Sequence, residues 1–167
     1  MKLKYALGLA LGLSMMASAA QAVTSITSTF QVKISIGAAC TFSTGAAADM
    51  DFGPQTLLTA VLNQTSTINV QCTNTTPYTI GLNGGSVANS VTARQMKSVA
   101  GAFVNYSLFR DAAHTSNWGN TIGTDTLSGV GTGATVIHTV FGQVPVQTTP
   151  ASGAYADTVT VTVTVTY

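Results

Sequence analysis

The chain ends in an alternating run. From Asp157 to Tyr167, Val159, Val161, Val163, Val165 and Tyr167 share one parity, and the threonines between them share the other. Only a β-strand sends successive side chains to opposite faces, and β-branched residues pack well on a pleated surface. Beyond Asp157 the run contains no charge and no Pro, the usual devices that blunt an exposed strand edge. Such an edge is either covered within the fold or pairs with another chain.

The whole composition has the same bias. Of 167 residues, 28 are Thr, 7% are charged, and all five acidic residues are Asp. A helical bundle or coiled coil needs Glu, Lys, Arg and Leu on its outer faces. A disordered chain needs high charge and low hydrophobicity, whereas 46% of this one is apolar. A nucleic-acid partner is excluded because it needs a basic stripe, which so few cations cannot build.

Further alternating segments precede the last one. Ile26, Phe30, Val32, Ile34 and Ile36 share a parity over residues 26–36, which reads as a strand with one buried face. Residues 66–72 point Ile68, Val70 and Cys72 inward; Tyr78, Ile80 and Leu82 follow, before the turn signal Asn83-Gly84-Gly85. Phe103–Phe109, carrying Phe103, Tyr106 and Leu108, and Val136–Val144 are two more candidates. Residues 38–48, small and Gly/Ala-rich, read as a loop or loose edge, and residues 115–135 as a long polar connection. Seven or so short strands between such turns indicate an all-β sandwich or barrel.

Residues 1–22 stand apart. Lys2 and Lys4 precede an apolar run to Met16, and small residues lead to Ala20-Gln21-Ala22. This is the layout of a secretory signal peptide, cleaved after Ala22 or alternatively after Ala19. The apolar run is shorter than the roughly 20 residues needed to span a bilayer. Its removal leaves 145 residues with four basic and five acidic side chains. In an exported chain, an even cysteine count favours a disulfide between Cys40 and Cys72. The distant His114 and His138 lack ligand spacing, and no C-x-x-C occurs, so metal binding and a reactive dithiol are the weaker alternatives.

No catalytic constellation emerges, and the chain reads as a non-enzyme with no cofactor and no metal. Asp49 and Asp51 flank Met50 ahead of Phe52-Gly53-Pro54 and read as loop residues. His114 reads as a surface histidine in a polar loop, and Trp118 as either a core plug or a surface contact. Neither a nucleophile elbow nor a phosphate-binding loop occurs.

Taken in order, several stretches resemble the spore coat protein U domain family, which includes subunits of archaic chaperone–usher pili. They are Cys40, Met50-Asp51-Phe52-Gly53, Ile68–Thr73, Tyr78–Gly85, Arg94-Gln95-Met96, Tyr106–Ala112, Trp118-Gly119, Phe141–Pro145 and Gly153–Val161. The resemblance covers nearly all of residues 23–167. It implies an incomplete immunoglobulin-like β-sandwich, completed by a strand donated first by a periplasmic pilus chaperone. An outer-membrane usher then exchanges that strand for the N-terminal extension of the next pilin subunit.

On this reading residues 23–36 contain the donor strand, with Ile26, Phe30, Val32 and Ile34 as pocket fillers, and residues 37–167 form the sandwich. Val159, Val161, Val163, Val165 and Tyr167 border the groove, with the terminal carboxylate as the chaperone's anchor. The implied function is a structural pilus subunit exported through the periplasm to the cell surface for adhesion and biofilm formation. The alternative is a secreted spore or cell coat protein of the same fold that forms no fibre.

Overall fold

A computed structural model describes residues 24–166. Nine strands are present, and no helix occurs among the described residues: β1 (Cys40–Ala47), β2 (Leu62–Cys72), β3 (Pro77–Leu82), β4 (Arg94–Ser98), β5 (Phe103–Phe109), β6 (Leu127–Val130), β7 (Thr135–Val144), β8 (Tyr155–Ala156) and β9 (Val161–Val165). They form a six-stranded sheet, β1-β2-β7-β5-β4-β8, and a three-stranded sheet, β6-β3-β9. Every pairing is antiparallel. This is an all-β, immunoglobulin-like sandwich.

The two inner faces meet as the alternation requires. Ile68, Val70 and Cys72 of β2, Tyr106 and Leu108 of β5, and Ile80 and Leu82 of β3 are all buried. Trp118 is a core plug: it is fully buried, and its indole N–H donates to the Ile80 carbonyl at 2.9 Å. Phe103 faces outward at 45% exposure because its parity is opposite to that of Val104 and Tyr106, which take the interior.

Two expectations change. The run at 26–36 forms no paired strand: Ile26, Phe30, Val32, Ile34 and Ile36 are all exposed, and the chain divides into separate units after Ser35. Alternation specifies a face and not a partner, and a strand without a ladder leaves its backbone groups to water.

Of the two readings of residues 38–48, loop or loose edge, the structure has the edge: residues 40–47 form an edge strand. Cys40 opposes Cys72 and Phe42 opposes Val70, but the next pair is Ala47 with Ile68, so five steps on β1 answer two on β2. Such a bulge erases the period-two signal.

The polar connection at 115–135 contains β6, which pairs with the first half of β3. Its pattern is hidden by Gly129, where the Tyr78 ring occupies the place of a side chain; a Cβ there would sit 2.5 Å from the ring.

Cys40 and Cys72 form a disulfide between β1 and β2. It closes a 33-residue loop by their numbering. The double substitution Cys40→Ser/Cys72→Ser is expected to cost roughly 3–4 kcal/mol through loop entropy. Guanidinium unfolding midpoints of the two forms check this; a midpoint change worth under about 1 kcal/mol would contradict it.

Candidate functional site

The site begins with what β9 lacks. On one side β9 pairs with β3, Tyr78 opposite Val165, Ile80 opposite Val163 and Leu82 opposite Val161. Asn83 N–H to Thr160 O, Ser86 N–H to Thr158 O and Thr166 N–H to Pro77 O extend this contact in both directions. On its other side, β9 pairs with no strand among the described residues. The open edge therefore runs over residues 158–166, about 30 Å of extended chain.

Beneath the N-terminal half of this edge, a cleft of about 440 Å³ opens between the two sheets. Ile68, Leu108 and Val140 line it from the six-stranded sheet, and Leu82, Val159 and Val161 from the other. A second cleft of about 720 Å³ lies between residues 50–62 and residues 144–155; it shares Met50, Phe52, Met96 and Tyr155 with the first. Much of the lining is the inward parity of the strands: Ile68, Leu82, Leu108 and Val140 are buried, and Val159 and Val161 are half-buried.

A polar junction fixes the start of the open strand. Asp157 Oδ1 accepts from Ser86 N–H (2.8 Å), Ser86 Oγ (2.8 Å), Val87 N–H (3.1 Å) and Thr158 N–H (2.8 Å). Its Oδ2 accepts from the Tyr106 hydroxyl at 2.7 Å, which ties β5 of the opposite sheet to the strand's first residues. Desolvation pushes the Asp157 carboxyl up, but hydrogen bonds from Tyr106, Ser86, Thr158 and Val87 together hold it below its ordinary value of 3.8. Burial, then the bond to Asp157, pushes the Tyr106 phenol well up, so it remains a donor.

Behind this junction lies Arg94, fully buried. Its guanidinium donates to the carbonyls of Asn83 (3.0 and 2.7 Å), Val91 (3.0 Å), Leu82 (3.0 Å) and Trp118 (2.8 Å). Desolvation lowers its pKa, while Tyr106, Asp125 and Asp157 oppose that shift. An arginine remains charged under such conditions, and the fork of carbonyls satisfies it.

Of the residues singled out in the sequence, the structure brings Val159 and Val161 into the cleft. Val163 and Val165 continue the same half-buried row, while Tyr167 and the signal-peptide segment lie outside the described residues. Ile26, Phe30, Val32 and Ile34 are exposed.

His114 is not a simple surface histidine. Its ring is half-buried, edge-on to Phe109 (5.3 Å between centroids) and Phe141 (6.3 Å). Asp111 folds the loop back by accepting from Thr115 and Ser116. Desolvation raises the Asp111 carboxyl, but these bonds outweigh it and bring it down to about 2. His138 shares a hydrogen bond with the Tyr78 hydroxyl at 2.8 Å, and burial lowers its pKa. Among the described residues, no three His, Cys, Asp or Glu are grouped to hold a metal ion.

Sequence reasoning missed the roles of Arg94, Tyr106 and Asp157. One signal was present: Asp157 heads the run on the same parity as Val159 to Val165, so an ionisable residue occupied the inward row.

An open-edged, all-β sandwich over an apolar cleft is thus the class of this protein. The sequence profile of the Spore Coat Protein U domain matches residues 26–162, and the chain belongs to that family. Protein U of Myxococcus xanthus is 34% identical over 160 residues, covering 88% of each chain. Among solved structures, one similar chain lies in the CsuC–CsuE chaperone–tip adhesion subunit pre-assembly complex from archaic chaperone–usher Csu pili of Acinetobacter baumannii. The TM-score is 0.52 and the identity 29%, over 75% of this chain and 39% of that one. The present chain therefore spans well under half the length of that relative.

The junction has a pH signature. A carboxyl held below 3.8 in the folded state contributes stability that is complete above that value and disappears as pH falls through the folded value. Asp157→Asn is expected to lower the denaturation midpoint at neutral pH and to flatten the loss of stability below about pH 4. Circular dichroism unfolding curves across pH 3–7 test it; an unchanged acid limb in the variant would count against the assignment.

Proposed function

We propose that this chain is a structural subunit of an archaic chaperone–usher pilus, polymerising by donor-strand complementation. The observation that carries the reading is a pair of unmet halves. One is the unpaired edge of β9 over an apolar cleft; the other is the exposed alternating segment at 26–36, about 36 Å long when extended. A segment of one copy seated beside β9 of the next supplies the missing ladder and covers the cleft. Ile26, Phe30, Val32 and Ile34 then fill it, against Val159, Val161, Val163, Val165 and Tyr167.

The similarity to a chain from a chaperone–tip adhesion subunit complex supports a periplasmic chaperone as the first occupant. An outer-membrane usher and other pilin subunits complete the partners. Cleavage of residues 1–22, passage through the periplasm and display at the cell surface for adhesion and biofilm formation belong to the same proposal. The family's spore coat designation favours a second reading, a coat protein that forms no fibre. Electron microscopy of the cell surface separates fibres from a layer.

Strand donation draws affinity from main-chain bonds and specificity from alternate side chains. Burying a side chain the size of Phe or Val contributes roughly 1.5–3 kcal/mol, and a buried unpaired charge costs more. Phe30→Asp and Val32→Asp are therefore expected to abolish fibres while chaperone co-purification persists. Gln31→Asp, on the other parity, should leave fibre yield within about twofold of wild type. Equal damage from both parities, or normal fibres after deletion of residues 23–29, would overturn the donor assignment.

A further inference from the structure

We infer that Met50 and Met96 form a paired oxidation site whose redox state sets whether the cleft accepts an apolar strand. The inference rests on the docking reading above for the identity of the occupant. Both cysteines are locked in the disulfide, so among the described residues these two thioethers are the only oxidisable sulfurs outside it. Both are half-buried, and both line both clefts, so they stand at the boundary the clefts share.

The backbone makes room for one of them. Gly142 lies under Met50, where a Cβ would meet the sulfur at 2.0 Å, so the thioether rests directly on the main chain of β7. Met96 lies on the inward parity of β4, opposite Val104 of β5. Neighbouring walls are apolar, with Phe52, Leu82, Leu108 and Val161 among them. An unbranched thioether suits this place because it adapts to an incoming side chain.

Oxidation by a peroxide reverses that fitness. The peroxide O–O bond breaks, one oxygen bonds to sulfur, the sulfur gives up two electrons, and the other oxygen leaves as water. The resulting sulfoxide is polar and chiral. Once an apolar strand covers the cleft, its oxygen is cut off from water, and the lining hydroxyls of Ser66, Tyr106 and Tyr155 already donate to Ala48, Asp157 and Ala151. Burying such an unpaired group weakens binding by ~10-fold or more. An occupied cleft, in turn, excludes the oxidant, so the sulfurs are vulnerable only while the edge is open.

The test uses the mature full chain, unfolded in guanidinium with its disulfide intact and diluted into buffer. A synthetic peptide of residues 24–36 is the occupant, and hydrogen peroxide is added either before or after it. Peptide mapping by mass spectrometry and the yield of complex are read in both orders. Peroxide first should add one oxygen at each methionine and cut complex formation by ~10-fold or more. Peptide first should slow oxidation at both sites by at least about tenfold, as expected for sulfurs sealed from solvent. Met50→Leu/Met96→Leu, close in volume, should form complex equally in either order.

Equal oxidation in both orders, full complex from the oxidised chain, or an equal loss in the double variant would each overturn the inference. Failure of the untreated chain to take the peptide would instead overturn the docking reading. The oxidation rates would then still decide the site. Rates near that of free methionine would uphold accessible thioethers, and rates far below it would remove them.

Discussion

A strand inside a sheet bonds on both sides, and β9 bonds on one. That asymmetry governs the other features of the sandwich. The inward valines at 159 and 161 pack on the core yet stay half-buried, because they line a cleft that opens between the two sheets. Its walls continue the buried rows of the strands around it. Backbone bonds left to water at an edge cost little, whereas apolar walls left to water forgo the stabilisation that burial provides.

An edge of this kind is useful only if it stays extended before anything occupies it. The polar junction at its head accounts for that. Asp157 gathers donors from the chain after β3 and from Tyr106 on the opposite sheet, so the first residues of the edge are tied to both layers. Arg94 braces the same corner by collecting carbonyls from three separate segments. Arg94 is met by main-chain carbonyls alone, and Asp157 by three main-chain N–H groups and the hydroxyls of Ser86 and Tyr106. Such groups penalise any rearrangement that leaves them unpaired.

Period two made β2, β3, β5, β7 and β9 legible from residue order alone, because each carries an apolar row on one parity. Four strands escaped: β4 and β8, of five and two residues, are too short to show a period. In β1 the bulge between Phe42 and Ala47 breaks the count, and in β6 the glycine beneath the Tyr78 ring leaves no side chain to read. The segment at 26–36 shows the converse: an alternation interrupted only at Ser28 that forms no ladder within its own chain, since alternation specifies a face and is silent about the partner. Of the site, the valine row was readable and the junction was not. Asp157, Tyr106 and Arg94 lie far apart in sequence, and only the crossing of the two sheets brings them together.

The disulfide has a mechanical consequence. Suppose tension enters the domain at residues 36–39 and leaves through β9. The covalent bridge passes it from Cys40 straight to Cys72, so residues 41–71 carry no load. That by-passed stretch contains the bulged half of β1, the lip of both clefts from Ala47 to Leu62, and most of β2. Those 31 residues would otherwise unspool by roughly 100 Å at full extension. With the bridge intact, a pulled chain can lose its later strands while one wall of the cleft keeps its covalent frame. A stretched copy thus keeps residues 40–72 closed as a loop, which leaves less chain entropy to be lost on refolding when the force is released.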